Sequence, residues 1–209
     1  AEEVYKFYSA NPKPLILDCG ANIGLSVIYF KKLFPKSQIV AFEPDTLIFE
    51  KLKSNILEFG FDGVELVKKA LWEKETTMSF LAEGTLGGRL VETEEISSDS
   101  RIFSIPTVRL KDYLTKSVDF LKIDIEGAEY QVISDCADSL QNVRFLFIEY
   151  HSVATEKQML NEILSIITRA GFRYYIREAS RNVQHPFLDS NKNWFDLQLN
   201  ISCYRRSVI

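Results

Sequence analysis

Four short stretches carry side chains that suit chemistry. "DCGANIG" sets an acid, Asp18, ahead of two glycines. "AFEP" holds Glu43 and Pro44, "KIDIEGAE" holds Asp124, Glu126 and Glu129, and "FIEYH" holds Glu149 and His151. Gly20 and Gly24 remove side chains where a ligand can approach the main chain, and a helix starting after Gly24 points free N–H groups at the same space. A dinucleotide fingerprint needs three glycines spaced G-x-G-x-x-G to seat a pyrophosphate. Here the order is Gly20, Asn22, Gly24, and Leu25 follows, with no third glycine at the expected place. Asp18 points the same way, because a carboxylate repels a pyrophosphate and attracts an ammonium group. Glu43 lies about 20 residues beyond the turn, where an acid accepts both hydroxyls of a ribose. Pro44 fixes the chain direction just after it.

The turn and Glu43 together describe a nucleoside with a cationic amino acid tail, which is the form of S-adenosylmethionine. The same residues also suit a tight strand-to-helix connection ending in a solvated glutamate.

The elements that must position these groups alternate. "LILD", "QIVAFEP", "GVELVKKAL", "VDFLKIDI" and "VRFLFIEY" read as buried strands. "GLSVIYFKKLF", "DTLIFEKLKSNILEFG", "EGAEYQVISDCADSL" and "TEKQMLNEILSIITRAG" have helical spacing, with Asp45 as an N-cap and Gly60 at a C-terminal cap. "TTMSFLAE" and "IPTVRL" read as short strands around a polar stretch, Glu83 to Ser100. "FRYYIRE" and "WFDLQLNISCYRR" predict a final antiparallel pair joined by a long polar loop without a helix. This alternation implies an α/β fold, a sheet covered by helices on both faces, in which ligands bind beyond the carboxyl ends of the strands. That rule selects Asp18 to Gly24, Glu43, Ala70 and Leu71, Asp124 to Glu126, and Glu149 to His151.

The 209 residues suit one domain, 1–209, with 1–14 as an N-terminal extension. The hydrophobic fraction of 46% is ordinary for a globular chain, and a net charge of -4 disfavours nucleic acid as the main partner. Three scattered cysteines give neither a disulfide framework nor a zinc ligand set, which predicts a reduced, cytoplasmic setting. No apolar run approaches the ~20 residues that span a bilayer, and the N-terminus lacks the pattern of a signal peptide.

"LDCGANIG", "AFEP", "DFLKIDIEGAE" and "FIEYH", in this order and at these spacings, resemble the FkbM-type methyltransferases of the class I, S-adenosylmethionine-dependent group. The resemblance runs from about Leu15 to the last strand, and "LKIDIEGAE" is its most specific part. It implies a Rossmann-like three-layer sandwich with a seven-stranded mixed sheet in the order 3-2-1-4-5-7-6, strand 7 antiparallel. It also implies cofactor contacts from Asp18, Gly20, Ala21, Asn22 and Gly24, from Glu43 and Pro44, and from Ala70 and Leu71 flanking the adenine. The implied reaction is methyl transfer, to a hydroxyl of a small molecule or saccharide.

For such a transfer the protein holds the nucleophile in line, and a base takes the hydroxyl proton. Asp124 is expected to place the acceptor or face the sulfonium, or else to cap a helix starting at Glu126. Glu126 suits a first helical turn, Glu129 a solvated or ion-paired helix position. His151 is the candidate base, and Glu149 orients it or binds the acceptor. His185 is expected to face solvent. No metal is expected, although Asp124, Glu126, Glu149 and His151 can approach one another closely enough to hold a divalent ion. The alternatives are a nicotinamide-dependent oxidoreductase, a non-catalytic binding module, and an N-methyltransferase of nucleic-acid bases. The last is opposed by the lack of an "NPPY"-like sequence after the fourth strand. The acceptor pocket is assigned to Glu83–Ser100 and Ser180–Asn193.

Overall fold

The computed structural model describes residues 4–82, 88–91, 102–180, 185–189 and 194–205. Most of both segments assigned to the acceptor pocket lies outside these residues. In chain order the elements are β1 (Leu15–Cys19), α1 (Leu25–Leu33), β2 (Gln38–Phe42), α2 (Thr46–Glu58), β3 (Val64–Val67), β4 (Ala70–Leu71), β5 (Thr77–Ala82), β6 (Gly88–Val91), β7 (Ile102–Val108), β8 (Val118–Ile123), α3 (Glu129–Asp135), β9 (Val143–Val153), α4 (Leu160–Arg169), β10 (Arg173–Ser180), α5 (Pro186–Asp189) and β11 (Phe195–Tyr204).

Seven strands form the main sheet in the order β10-β11-β9-β8-β1-β2-β3. With its strands renumbered along the chain, this is the expected 3-2-1-4-5-7-6. β11 runs antiparallel to both of its neighbours, while β1, β2, β3, β8 and β9 are parallel. Strand alternation divides the core. Leu17, Cys19, Leu121 and Ile123 join the cluster shared with α3 and α4, and Ile16 and Phe120 join the one shared with α1 and α2. Lys122 therefore enters the α1/α2 layer, a point on which the site depends.

Local signals explain the helix ends that were anticipated. Asp45 accepts from the N–H groups of Leu47 (2.7 Å) and Ile48 (3.0 Å), and Gly60 closes α2 at φ +63°.

Four expectations need correction. The run "GVELVKKAL" is not one strand, because Lys68 and Lys69 interrupt its apolar pattern. β3 stays in the main sheet, while Ala70 and Leu71 pair with Thr107 and Val108 in a second sheet of order β4-β7-β5-β6. The helix after β8 begins at Glu129 rather than Glu126, since Glu126 (φ +56°) and Gly127 (φ +105°) lie in the left-handed region, which a right-handed helix excludes. Asp124 is consequently not its cap. The loop between the last two strands carries a short helix, α5. His185, just before α5, is exposed as expected.

The segment anticipated as an extension is attached to the core from Tyr5 onward. The Phe7 ring stacks on Phe120 at 4.8 Å and Tyr5 meets Phe147 edge-on at 4.9 Å. The Asp119 carboxylate pins the segment by accepting from Ser9 Oγ (2.8 Å), Asn11 Nδ2 (3.2 Å) and Leu15 N (3.0 Å). Asp119→Ala strands these donors, and urea unfolding should show a loss of about 1.5–3 kcal/mol, the range for hydrogen bonds to a charged group. Stability unchanged within about 0.5 kcal/mol would mean that the segment is not pinned there.

Candidate active site

The parallel pairing of β8, β1 and β2 brings their carboxyl ends to one sheet edge. The Asp124 N–H donates to the Cys19 carbonyl (3.1 Å), and the N–H groups of Gly20 and Ala21 both donate to the Phe42 carbonyl (3.1 and 2.9 Å). Lys122 binds this junction from below. Its side chain is 4% exposed, and its ammonium donates to the Gly20 carbonyl (2.9 Å) and pairs with Asp124 (3.1 Å) and Asp18 (3.4 Å). Burial works against its charge, but the two carboxylates prevail and hold its pKa above the ordinary lysine range. Burial raises the Asp18 pKa, opposed by Lys122 and by the Ser26 hydroxyl that donates to it.

These contacts revise the roles expected in the glycine turn. Asp18 has no exposed surface and Ala21 is 2% exposed, so neither side chain lines a cleft; Asp18 acts on the turn through Lys122. A Cβ on Gly20 would lie 1.8 Å from the Asp124 carbonyl oxygen, so the close approach there is protein against protein. Gly24 faces Leu52 of α2 in the same way, at 2.7 Å. Asn22 adopts φ +49° and its Oδ1 accepts from Ile23 N at 2.7 Å, a local bond that makes this region tolerable for asparagine.

Above the junction lies a cleft that is partly open to solvent. It brings together Gly20, Asn22, Glu43, Pro44, Ala70, Leu71 and Asp124, all selected from the sequence, and adds the apolar Ile48, Phe80 and Leu90. Glu43 is 7% exposed and rigidly held, Oε2 accepting from Asn22 N (3.0 Å) and Oε1 from Asp45 N (2.9 Å). Burial raises its pKa to about 7 against the pull of these two bonds.

Asp124 and Glu126 also line the cleft, and buried beside Glu126 stands a histidine ringed by acids. His151 lies within β9 rather than after it, because β11 extends the strand and pairs Gln198 with His151. Its Nδ1 faces Glu129 Oε1 at 3.0 Å, while Nε2 faces Glu126 Oε2 at 3.5 Å and Glu149 Oε1 at 3.8 Å. Burial opposes charge on the ring, but its hydrogen bond to the Glu129 carboxylate and the other nearby acids raise its pKa to about 9. These acids favour the charged ring, which works against the base role expected from the sequence. Burial brings Glu126 to about 7 against the pull of His151, and burial followed by Asp124 raises Glu149.

Glu129 is 1% exposed, so of its two expected settings it takes the ion-paired one; its Oε1 also accepts from Gly127 N (3.1 Å) and Ile125 N (3.3 Å). A second pocket adjoins the cleft, shares Leu90, Glu126 and Ala128 with it, and is walled by Trp72, Arg89, Gln131 and Trp194. The Arg89 guanidinium lies 3.4 Å from the centre of the Trp194 indole. Lys122, a charge among the apolar residues Phe120, Leu121 and Ile123, is a site residue that the sequence reading passed over although its signal is visible, whereas Arg89 and Trp194 gave none.

Residues 18–174 match the Methyltransferase FkbM domain. The chain belongs to this family. It is 30% identical over 158 residues to the 2-O-methyltransferase NoeI of Sinorhizobium fredii, covering 66% of this chain and 64% of that protein. It is 27% identical over 158 residues to Methyltransferase 1 of Beauveria bassiana, covering 64% of each. The chain thus spans 64% of the length of both relatives. The crystal structure of Methyltransferase FkbM from Methylobacillus flagellatus KT superposes on 93% of this chain and 45% of that one, with a TM-score of 0.59 and 16% identity, a likeness of fold. FkbM membership accords with the missing third glycine and not with a nicotinamide-dependent enzyme. Among the described residues no helix is long and apolar enough to cross a membrane.

Gly20→Ala drives a methyl into the Asp124 carbonyl at a positive φ. It should lower stability by roughly 2–5 kcal/mol in urea unfolding, combining overpacking with backbone strain. A variant of full stability that merely binds ligand less well would restore the view that Gly20 serves the ligand directly.

Proposed function

We propose that this FkbM-family chain transfers a methyl group from S-adenosylmethionine to a hydroxyl oxygen of a small molecule or saccharide. The observation that carries this reading is a single cleft with Glu43 at one end and Asp124 and Glu126 at the other. The residues fit the cofactor. Glu43 is fixed by two main-chain donors and keeps acceptor capacity for ribose hydroxyls. Ile48, Ala70, Leu71 and Phe80 supply apolar wall for a purine, Pro44 shapes the rim, and Asp124 stands where a cationic tail would end. Asp18 supports that end indirectly by sharing Lys122 with Asp124.

When bound, S-adenosylmethionine supplies a methyl already activated on a sulfonium. The chain's part is to exclude water, align the acceptor and receive its proton. The second pocket suits the acceptor, since it meets the cleft at Glu126 and offers the half-exposed Trp194 as an aromatic surface. Where the two spaces meet, Asp124, Glu149 and His151 orient the hydroxyl, and a carboxylate oxygen of this group takes its proton. The name of the Sinorhizobium relative, a 2-O-methyltransferase, supports oxygen as the nucleophile. The net charge of -4 favours a small acceptor over nucleic acid, and three buried, unpaired cysteines support a reducing, cytoplasmic setting.

Titration calorimetry with S-adenosylhomocysteine tests the reading. Binding is expected for the wild type, and Glu43→Gln should weaken it by about 1–3 kcal/mol. The acceptor form of Glu43 is the ionised one, so affinity should rise with pH through about 7. That makes binding roughly tenfold or more weaker near pH 5.5 than near pH 8, a dependence that Glu43→Gln should reduce to the part due to Glu126, which also titrates near 7. Binding of NAD without S-adenosylhomocysteine would instead favour an oxidoreductase.

A further inference from the structure

Five carboxyl groups, Asp18, Asp124, Glu126, Glu129 and Glu149, gather around two basic side chains, Lys122 and His151. Lys122 serves Asp18 and Asp124 from beneath. The imidazole is 1% exposed and committed through Nδ1 to Glu129. Its Nε2 makes no hydrogen bond among the described residues, yet it is aimed at Glu126 and Glu149 from 3.5 and 3.8 Å. Hydrogen bonds between a charged N–H and a carboxylate close to about 2.7–2.9 Å, so these acids stand back from the ring. Donor atoms that share one cation at about 2.1 Å lie about 3.0–4.2 Å apart. One donor atom each from Asp124, Glu126 and His151 lies within 4.8 Å of the others, a spacing that side-chain adjustment brings into range.

We propose that Asp124, Glu126 and His151 Nε2 bind a divalent cation where the cleft and the second pocket meet. This replaces the expectation of no metal. Glu129 is the positioning residue: it holds Nδ1 and is itself fixed by the Ile125 and Gly127 N–H groups, the outer arrangement that orients metal-bound histidines. One imidazole and two carboxylates select a hard to borderline ion such as Mn²⁺ or Mg²⁺ rather than a thiolate-seeking one. The ion has a way in, because the Asp124 and Glu126 side chains are 24% and 31% exposed. It would take the place of a proton on Nε2.

The cation's role rests on the O-methylation reading. The acceptor hydroxyl occupies an open coordination position, which makes its proton more acidic. That proton passes to Glu149, outside the ligand triad. The oxygen's electron pair forms the new bond to the methyl carbon, and the carbon–sulfur pair leaves with the sulfur as a neutral thioether.

Mn²⁺ titration of chelator-treated protein, followed by electron paramagnetic resonance, tests the site. One saturable Mn²⁺ per chain is expected, with affinity lowered at least about tenfold in Glu126→Gln and His151→Gln and about 10–100-fold in Glu129→Gln. Glu126 lies on a partly exposed loop, so its variant carries the test even if the buried substitutions do not fold. No saturable binding to the wild type, or unchanged affinity in folded Glu126→Gln, overturns the proposal. S-adenosylhomocysteine titration of the same preparation separates the two readings. Mn²⁺ without S-adenosylhomocysteine binding keeps the cation site and removes its role in methylation, while the reverse removes the cation site alone.

Discussion

One buried ammonium organises this molecule. Lys122 leaves β8 one residue before its end, on the α1/α2 side of the sheet, and ends between Asp18, Asp124 and the Gly20 carbonyl. A lysine is buried at this depth only with partners, because the charge it takes out of water must be met inside the protein. Its partners are the ends of two neighbouring strands and the first residue of the turn. Lys122 therefore ties together the three pieces of backbone that form the floor of the cleft. Gly20 belongs to the same device: without a side chain it lets its turn lie against the Asp124 carbonyl, and Lys122 holds it there.

From this floor two environments diverge. Toward β2, Glu43 is held by main-chain N–H groups among apolar walls, which suits the recognition of neutral hydroxyls. Toward β9, acids accumulate around His151 with little cationic compensation among the described residues, which suits a cation or a group about to lose a proton. The cleft touches both, since Glu43 and Glu126 each line it.

Much of this was readable from residues. β1, β8 and α2 are marked by signals a few residues long, an apolar run or an aspartate cap, while the sheet order is what the resemblance to the FkbM-type methyltransferases implies. The rule that ligands bind at the carboxyl edge of such a sheet selects Glu43, Ala70, Leu71 and Asp124, and these four line one cleft. What escaped depends on partners distant in sequence. The left-handed turn at Glu126 delays α3 and swings that acid toward His151, yet "IEGAE" alone reads as the start of a helix. Glu129 has the look of a surface residue until β9 places an imidazole beside it. The second sheet needs β4 to leave the main sheet, a choice made by pairing with β7. The sequence does not show that Asp18 is buried against Lys122, a pairing that only the fold brings about.

The most direct measurement is a double-mutant cycle on the floor of the cleft, with Lys122→Met, Asp18→Asn and the pair compared by urea unfolding. Lys122→Met alone leaves Asp18 buried and unpaired and should cost about 3–5 kcal/mol. In the pair the two losses should fall short of additive by at least about 1 kcal/mol, since neither charge is then left alone. Additive losses, or a Lys122→Met protein as stable as the wild type, would contradict the claim that this ammonium holds the strand ends together.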